Sequence, residues 1–504
     1  MMGPASELIC GGNPQGAQPF ERFLLSPSAW GQLPAALMQE PAMALLGIWA
    51  DSAQIHACFL HESSGEAVLA STPVTGGYYA ALSPARPGAV RFERMILELW
   101  GHHAEGAVDL RPWLDHGRWP LRHPLAAKPI PFSGEPPQPE FLPVEGDGIH
   151  QIPVGPIHAG VIEPGHFRFS VQGEVVVRLE QRLGYKHKGT LSLMFGTSPR
   201  AAVRYAARLS GDTTVAHSWA FSAAVEAALD VAPPPRALHL RALMLELERI
   251  HNHLNDWGFI CNDAAFAFPH ARCGFLREGV LRAIAAAFGH RLMMDRVLPG
   301  GVAPDIAPRG AEAILAALDA VEAEIPALMQ IYEAHASLQD RVVTTGFLRP
   351  ELARGFAAGG HVGRASGRDF DARRLPQNHP YPVLAFDVPV LEAGDVDARL
   401  RIRVAELGQS IALVRQLLTN LPAGELMAPL PVRAGEGVAM IEGFRGECLH
   451  WVRLDDGGLI RGIFPRDPSW LQWPLLEAAI EDNIVADFPL CNKSFNCSYS
   501  GVDL

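Results

Sequence analysis

The chain has 504 residues, 48% of them hydrophobic and 19% charged, so it can bury a large core and fill two or three domains. Its formal net charge of -12 excludes the concentrated basic surface that nucleic-acid phosphates require. The seven cysteines are odd in number and include no Cys-x-x-Cys pair, which excludes a disulfide framework and the usual two-thiolate chelate.

The opening Met-Met-Gly-Pro-Ala-Ser-Glu lacks the basic flank and apolar run of a secretion signal, and no apolar run of about eighteen residues follows, so a cytosolic chain is expected. Apolar runs of strand length at 43–49 and 55–60, then helical spacing through Phe92, Met95, Ile96 and Leu99, predict a small α/β domain over 1–127. Pro129, Pro131, Pro136, Pro137, Pro139 and Pro143 make 128–150 an extended linker. A larger domain follows over 151–504. Alternation over 167–179 about Gln172-Gly173 predicts a hairpin. Leu240, Leu243, Leu247, Ile250, Leu254 and Trp257 predict an amphipathic helix over 236–257, and similar spacing recurs within 200–229, 274–295, 311–338 and 397–421. Strand-like runs return over 438–463, around the turn signal Asp455-Asp456-Gly457-Gly458. The expected fold class is α+β: a small α/β domain, then a mainly helical domain with flanking β-strands.

Six motifs stand in order in the second domain: Gly155-Pro156-Ile157-His158; Gly184-Tyr185-Lys186-His187-Lys188-Gly189; Glu246-Leu247-Glu248-Arg249-Ile250-His251-Asn252-His253; Pro299-Gly300-Gly301-Val302 with Asp305; Val362-Gly363-Arg364-Ala365-Ser366-Gly367; and Gly394-Asp395-Val396-Asp397-Ala398-Arg399. The ordered set resembles the family that joins the 49 kDa subunit of complex I to the large subunits of membrane-bound nickel-iron hydrogenases. The first domain, through Phe92-Glu93-Arg94-Met95, Asp109-Leu110-Arg111 and Trp119-Pro120-Leu121-Arg122, is similar to the 30 kDa complex I subunit. The formate hydrogenlyase large subunit carries that domain fused in front.

The resemblance implies four thiolates on two Cys-x-x-Cys pairs around a soft nickel-iron centre. Here Ser210 and Thr213 stand at the first pair, and Ser498 and Gly501 at the second; Cys497 falls one place early and Cys491 lies outside. No metal is therefore expected. The family's Arg-Gly-x-Glu becomes Lys188-Gly189-Thr190-Leu191, without the carboxylate linked to proton transfer. The chain also ends at Leu504, with no basic extension of the kind that maturation proteases remove from many hydrogenases, in keeping with a site that is never metallated. Cys491 and Cys497 read as small semi-buried thiols.

Complex I relatives place a His and a Tyr at a quinone headgroup, but the corresponding positions here fall in Ile162-Glu163-Pro164-Gly165-His166 and at Gly211. Asp263 matches an Asp that supports the family's His; it reads equally as a helix cap. The polar groups expected around the altered cleft are His158, Glu163, His166, His187, Asp212, His217 and Asp263, with the degenerate ligand positions Ser210, Thr213, Ser498 and Gly501. Asp212 and His217, five residues apart, are not expected to form a dyad.

The resemblance implies a peripheral-arm large subunit of a membrane-bound complex I-like or formate-hydrogenlyase-like oxidoreductase, on the cytoplasmic face of the inner membrane. This chain would hold no cofactor of its own. A small iron-sulfur subunit would carry the clusters, and membrane-embedded subunits would move protons or sodium ions. Three roles stay open: coupling electron transfer to ion translocation without nickel-iron, an altered quinone or small-substrate site, and a non-catalytic structural coupling subunit. The run Trp470-Leu471-Gln472-Trp473-Pro474-Leu475 reads first as core and second as a partner interface.

Overall fold

The computed structural model describes residues 3–62, 64–136, 138–159 and 162–504; the linker residue Pro137 lies outside the described residues. The fold is α+β. The first domain holds a mixed sheet of β1 (Asn13–Pro14), β2 (Arg22–Leu24), β3 (Met43–Ala50), β4 (Gln54–His61) and β5 (Glu66–Pro73), ordered β1-β2-β5-β4-β3. Only the β2–β5 pair is parallel. Helix α1 (Pro27–Gln39) packs on β5 and α2 (Val90–Trp100) on β3.

β3 is buried at every position because the second domain covers it as well. Trp49 stacks on Phe464 at 4.9 Å and Phe92 on Trp470 at 4.8 Å, so residues of both domains share one hydrophobic cluster. Arg22 donates twice to the Glu436 carboxylate, at 2.6 and 2.7 Å, with both groups buried. The described part of 128–148 contains one two-residue strand, Ile130–Pro131, paired with Leu121–Arg122.

The second domain opens on an antiparallel meander of β6 (Ile149–Val154), β7 (His166–Gln172) and β8 (Val175–Arg182). The predicted hairpin is β7–β8, turning at Gly173 with φ +62°. β6 escaped the pattern because Pro153 interrupts it, which an edge strand tolerates.

The helical spacing within 200–229 resolves into two helices, α3 (Pro199–Ala206) and α4 (Thr214–Leu229). Ser210, Gly211 and Asp212 break the path between them, since their side chains and backbone favour turns over helix. Helix α5 (Pro235–Asp263) outruns its predicted span at its C-terminus and starts with Pro235 in the first turn, where a missing N–H costs nothing. Helix α6 (Ala267–Phe288) stops earlier than predicted, at Gly289 in the left-handed region. α7 (Gly310–Ala334) and α8 (Val396–Thr419) complete the bundle, α8 capped by the Asp395 carboxylate, which accepts from Ala398 N at 2.8 Å.

A last sheet of β9 (Gly435–Gly443), β10 (Gly446–Leu454) and β11 (Ile460–Arg466) lies against α4. Only glycine permits that approach: a Cβ on Gly435 or Gly437 would sit 1.9 Å from Ala228 O or 2.1 Å from Ala224 O. Helices α9 (Ser469–Ala479), α10 (Phe488–Phe495) and α11 (Ser500–Asp503) end the chain. Trp470, Leu471, Trp473 and Leu475 point into the core, not toward a partner. No helix among the described residues is long and apolar enough to cross a membrane.

Candidate functional site

Helix α5 is buried along most of its length, so its charged side chains must find partners inside the protein. Glu246 accepts from the Tyr381 and Ser410 hydroxyls, both at 2.6 Å, and pairs with Arg373 at 3.2 Å. Arg373 pairs with Asp371 at 2.7 Å. Glu406 takes His253 at 2.8 Å and Arg364 at 2.6 Å, and Arg364 reaches on to Glu442 at 2.8 Å. Burial and the neighbouring Asp371 push Glu442 up, against the pull of Arg364. Motifs scattered widely along the sequence thus meet in one buried network of ion pairs.

This network holds three loops. Arg249 donates to the carbonyls of Glu442 (2.7 Å) and Gly443 (3.1 Å), fixing the Phe444-Arg445 turn between β9 and β10. Glu248 accepts from Val215 N (2.7 Å) and Ala216 N (3.2 Å) at the start of α4, and Asn252 donates to Asp212 O (2.8 Å). Arg403 donates to Ser494 O (2.7 Å) at the end of α10 and lies 2.7 Å from His361 Nε2. His361 itself bridges two of the loops, its Nδ1 3.3 Å from Phe444 O and its Nε2 3.0 Å from Phe495 O.

The three loops, together with Ala159, Ile162 and Glu163, line an open cleft of about 520 Å³. Of the four positions expected to be degenerate ligands, Ser210 and Ser498 stand in its wall, and Thr213 and Gly501 are packed behind it. The Ser498 hydroxyl donates to Ser210 Oγ (2.8 Å), Ser210 donates to Asp212 Oδ1 (2.8 Å), Thr213 donates to the same oxygen (3.0 Å), and Gly501 N donates to Ser498 Oγ (3.0 Å). Arg445 clamps Asp212 from both nitrogens, at 2.7 and 2.6 Å, and donates to Thr213 Oγ1 at 2.9 Å. Burial would raise the Asp212 carboxyl, but Arg445 outweighs it and holds the group well below the usual carboxylate range. Asp212 is therefore the fixed counter-ion of Arg445. It is not a proton carrier near neutrality.

A soft nickel-iron centre does not fit this donor set: three hydroxyls and a residue without a side chain replace the thiolates. Among the described residues no group of three or more His, Cys, Asp or Glu is placed to hold a metal ion. Cys491 and Cys497 are buried, and burial raises both thiols, Cys491 to about 11.

Of the other expected residues, Glu163 and Asp263 line the cavity. Glu163 accepts from Ser500 N at 3.0 Å, and burial raises Asp263. The histidines are elsewhere. His158 lies edge-on to Phe167 with its Nε2 unpartnered; His166 faces Phe141; His187 donates from Nδ1 to Asp503 O at 2.6 Å and lies over Trp119. Burial lowers all three below the usual imidazole value. Thr213 and His217 are fully buried behind the wall, His217 between Asp467 (3.0 Å) and His450 (3.1 Å). Asp212 and His217 form no dyad.

Sequence reasoning missed Arg445, Lys493, Asn496 and Tyr499, which complete the cavity wall. Lys493 pairs with Asp256 at 3.1 Å, and Asn496 donates to the same carboxylate at 3.0 Å. Burial would raise Asp256, but Lys493 and Arg403 hold it at about 2. The available signal was the Gly443-Phe444-Arg445-Gly446 turn, where one cation between two glycines interrupts two apolar strands. Tyr499, Lys493, Asp263 and Glu163 present polar groups along the cleft that a hydrogen-bonding molecule could meet.

Two family models match the chain: "Respiratory-chain NADH dehydrogenase, 49 Kd subunit" over residues 271–432 and "Nickel-dependent hydrogenase" over 188–257. Formate hydrogenlyase subunit 5 of Escherichia coli (strain K12) is 30% identical over 84% of this chain and 77% of its own length. An NADH-quinone oxidoreductase subunit of Roseiflexus sp. (strain RS-1) is 32% identical over 70% of this chain and 98% of its own. The alpha subunit of a membrane-bound hydrogenase of Pyrococcus furiosus is 29% identical over 70% of this chain and 87% of its own.

Proposed function

The chain belongs to the family that contains formate hydrogenlyase subunit 5 and its NADH-quinone oxidoreductase counterpart, and we propose that it acts as the large subunit in the peripheral arm of a membrane-bound oxidoreductase complex, without a nickel-iron centre. The observation that supports the reading is the hydrogen-bonded chain Ser498–Ser210–Asp212–Arg445, which includes two of the positions that the sequence resemblance assigns to ligands. Every polar group in it already has a protein partner, and none is a thiolate. Electrons then pass through iron-sulfur clusters of a small partner subunit. Membrane-embedded partners move protons or sodium ions, and this chain sits on the cytoplasmic face of the inner membrane, coupling the two. Elemental analysis of the intact purified complex tests this: the expected nickel content is far below one per large subunit, and stoichiometric nickel would sink the reading.

A second reading, an altered quinone or small-substrate site, draws on the size of the cavity and on Tyr499, Lys493 and Glu163 in its wall. It predicts that added quinone or a quinone-site inhibitor changes the redox state of the partner's clusters, and that Glu163→Gln lowers proton-coupled turnover of the assembled complex. Unchanged clusters and unchanged turnover leave the third role, a structural coupler with no substrate of its own.

A further inference from the structure

At the fourth ligand position the space for a side chain is already taken. A Cβ built on Gly501 would lie 2.8 Å from Asp467 Cγ and 2.9 Å from both Asp467 Oδ2 and Ser498 Oγ. Contacts that short are tolerable only where a flexible side-chain end can swing away. Asp467 cannot: its side chain is fully buried, Oδ2 accepts from His217 Nε2 at 3.0 Å, and Oδ1 accepts from Ser469 N at 2.8 Å. His217 is braced in turn on His450 at 3.1 Å. Moving the carboxylate would leave a buried imidazole N–H and a buried backbone N–H unpaired.

We propose that Asp467 stands in the volume of the missing fourth ligand and makes this a metal-excluding site, so that thiols restored at all four positions still cannot enclose a metal while Asp467 remains. The inference rests on the reading of Ser210, Thr213, Ser498 and Gly501 as the ligand positions. Two effects act together. The carboxylate blocks the position sterically, and its negative charge opposes a thiolate placed beside it. Arg445 occupies space at the first pair of positions, its guanidinium bonded to Asp212 and to the Thr213 hydroxyl.

The test uses the full-length chain and cobalt(II) as probe, because cobalt takes tetrahedral thiolate ligands without any maturation machinery and reports them by its sulfur-to-metal charge-transfer band. The variant S210C/T213C/S498C/G501C is expected to show no one-to-one tetrathiolate band. The same variant with Asp467→Ala added is expected to show it. A full band with Asp467 in place overturns the proposal, and so does its absence from both variants.

If either multiple variant fails to fold, Gly501→Ala measures the same overlap on its own. It is expected to lower Tm by about 3 °C or more, as overpacking of a rigid buried site does. The drop should be less than half as large in an Asp467→Ala background. Equal drops in both backgrounds overturn the proposal. A failed cycle in a complex that is free of nickel removes the role of Asp467 alone, whereas nickel in the native complex removes the functional reading itself.

Discussion

Helix α5 borders two polar regions that have fared differently. On one side Glu246, Arg249 and His253 enter a network in which each charge is answered by a neighbour within hydrogen-bonding or ion-pair distance. On the other side Glu248 and Asn252 hold the segment from Asp212 to Ala216, beside the hydroxyls of Ser210 and Thr213. Removing one member of a fully buried ion network strands the others without water, at about 3–5 kcal/mol, so such residues change together or not at all. The hydroxyls of Ser210, Thr213 and Ser498 are buried too, but they are uncharged, so replacing one strands no ion and requires only that its hydrogen-bonding neighbours be satisfied. The network carries the architecture, and the cleft is free to drift in chemistry.

Substitution at the centre of the network tests that contrast most severely. Arg364 answers Glu406, Glu442 and Asp371. Arg364→Met is expected to cost about 3–5 kcal/mol, seen in chemical unfolding or as loss of soluble protein. A cost below about 1 kcal/mol would show that the network does not hold the loops.

Glu248 sits where the two regions join. Burial and the Asp212 charge raise it to about 8, against the N–H groups of Val215 and Ala216, from an ordinary 4.5. A carboxyl raised on folding contributes stability that is fully present below about pH 4.5 and lost as pH rises to about 8. Glu248→Gln keeps the carbonyl acceptor and removes the titration. Unfolding of the variant should therefore lack a decline of up to ~1.4 kcal/mol per pH unit that the parent shows in this window. Parallel curves for the two proteins would place the titrating proton elsewhere.

Within the cleft, the Arg445–Asp212 pair should be weaker, because the Asp212 side chain is 39% exposed. Asp212→Asn or Arg445→Gln alone is expected to cost about 1–2 kcal/mol, with a double variant recovering part of the loss. Full additivity would break the pair.

Much of the scaffold was legible in the sequence because helical and strand periods are local. Leu240 to Trp257 keep one apolar stripe, and the residues of α5 fold as that stripe requires. The ligand positions were legible for another reason: an ordered family pattern places Ser210 and Ser498 together, although 288 residues separate them. The histidines were misplaced because a sequence gives a residue type without a direction. His166 and His187 lie near the cleft along the chain but point toward Phe141 and Trp119. Arg445 was missed because a single cation in a tight turn has no period, and its role appears only once β9 and β10 bring it to Asp212. Asp467 has no local signature either. Its meaning depends on a glycine 34 positions further on.

The smallest expected effect concerns the two thiols nearest the lost ligand positions. Cys497 has its Sγ 3.9 Å from Gln472 Oε1, and Cys491 packs beneath Gly346, where a Cβ would meet its sulfur at 2.6 Å. Burial disfavours the thiolate in both. Cys10 is exposed, and burial raises its thiol as well. Brief alkylation of the native protein near neutral pH, followed by peptide mass spectrometry, is expected to modify Cys10 and to leave Cys491 and Cys497 untouched until the chain unfolds. Native labelling of Cys497 at a rate comparable to Cys10 would mean that the wall formed by 496–500 opens to solvent. Its hydroxyl chain would then be a transient arrangement and not the resting structure of the cleft.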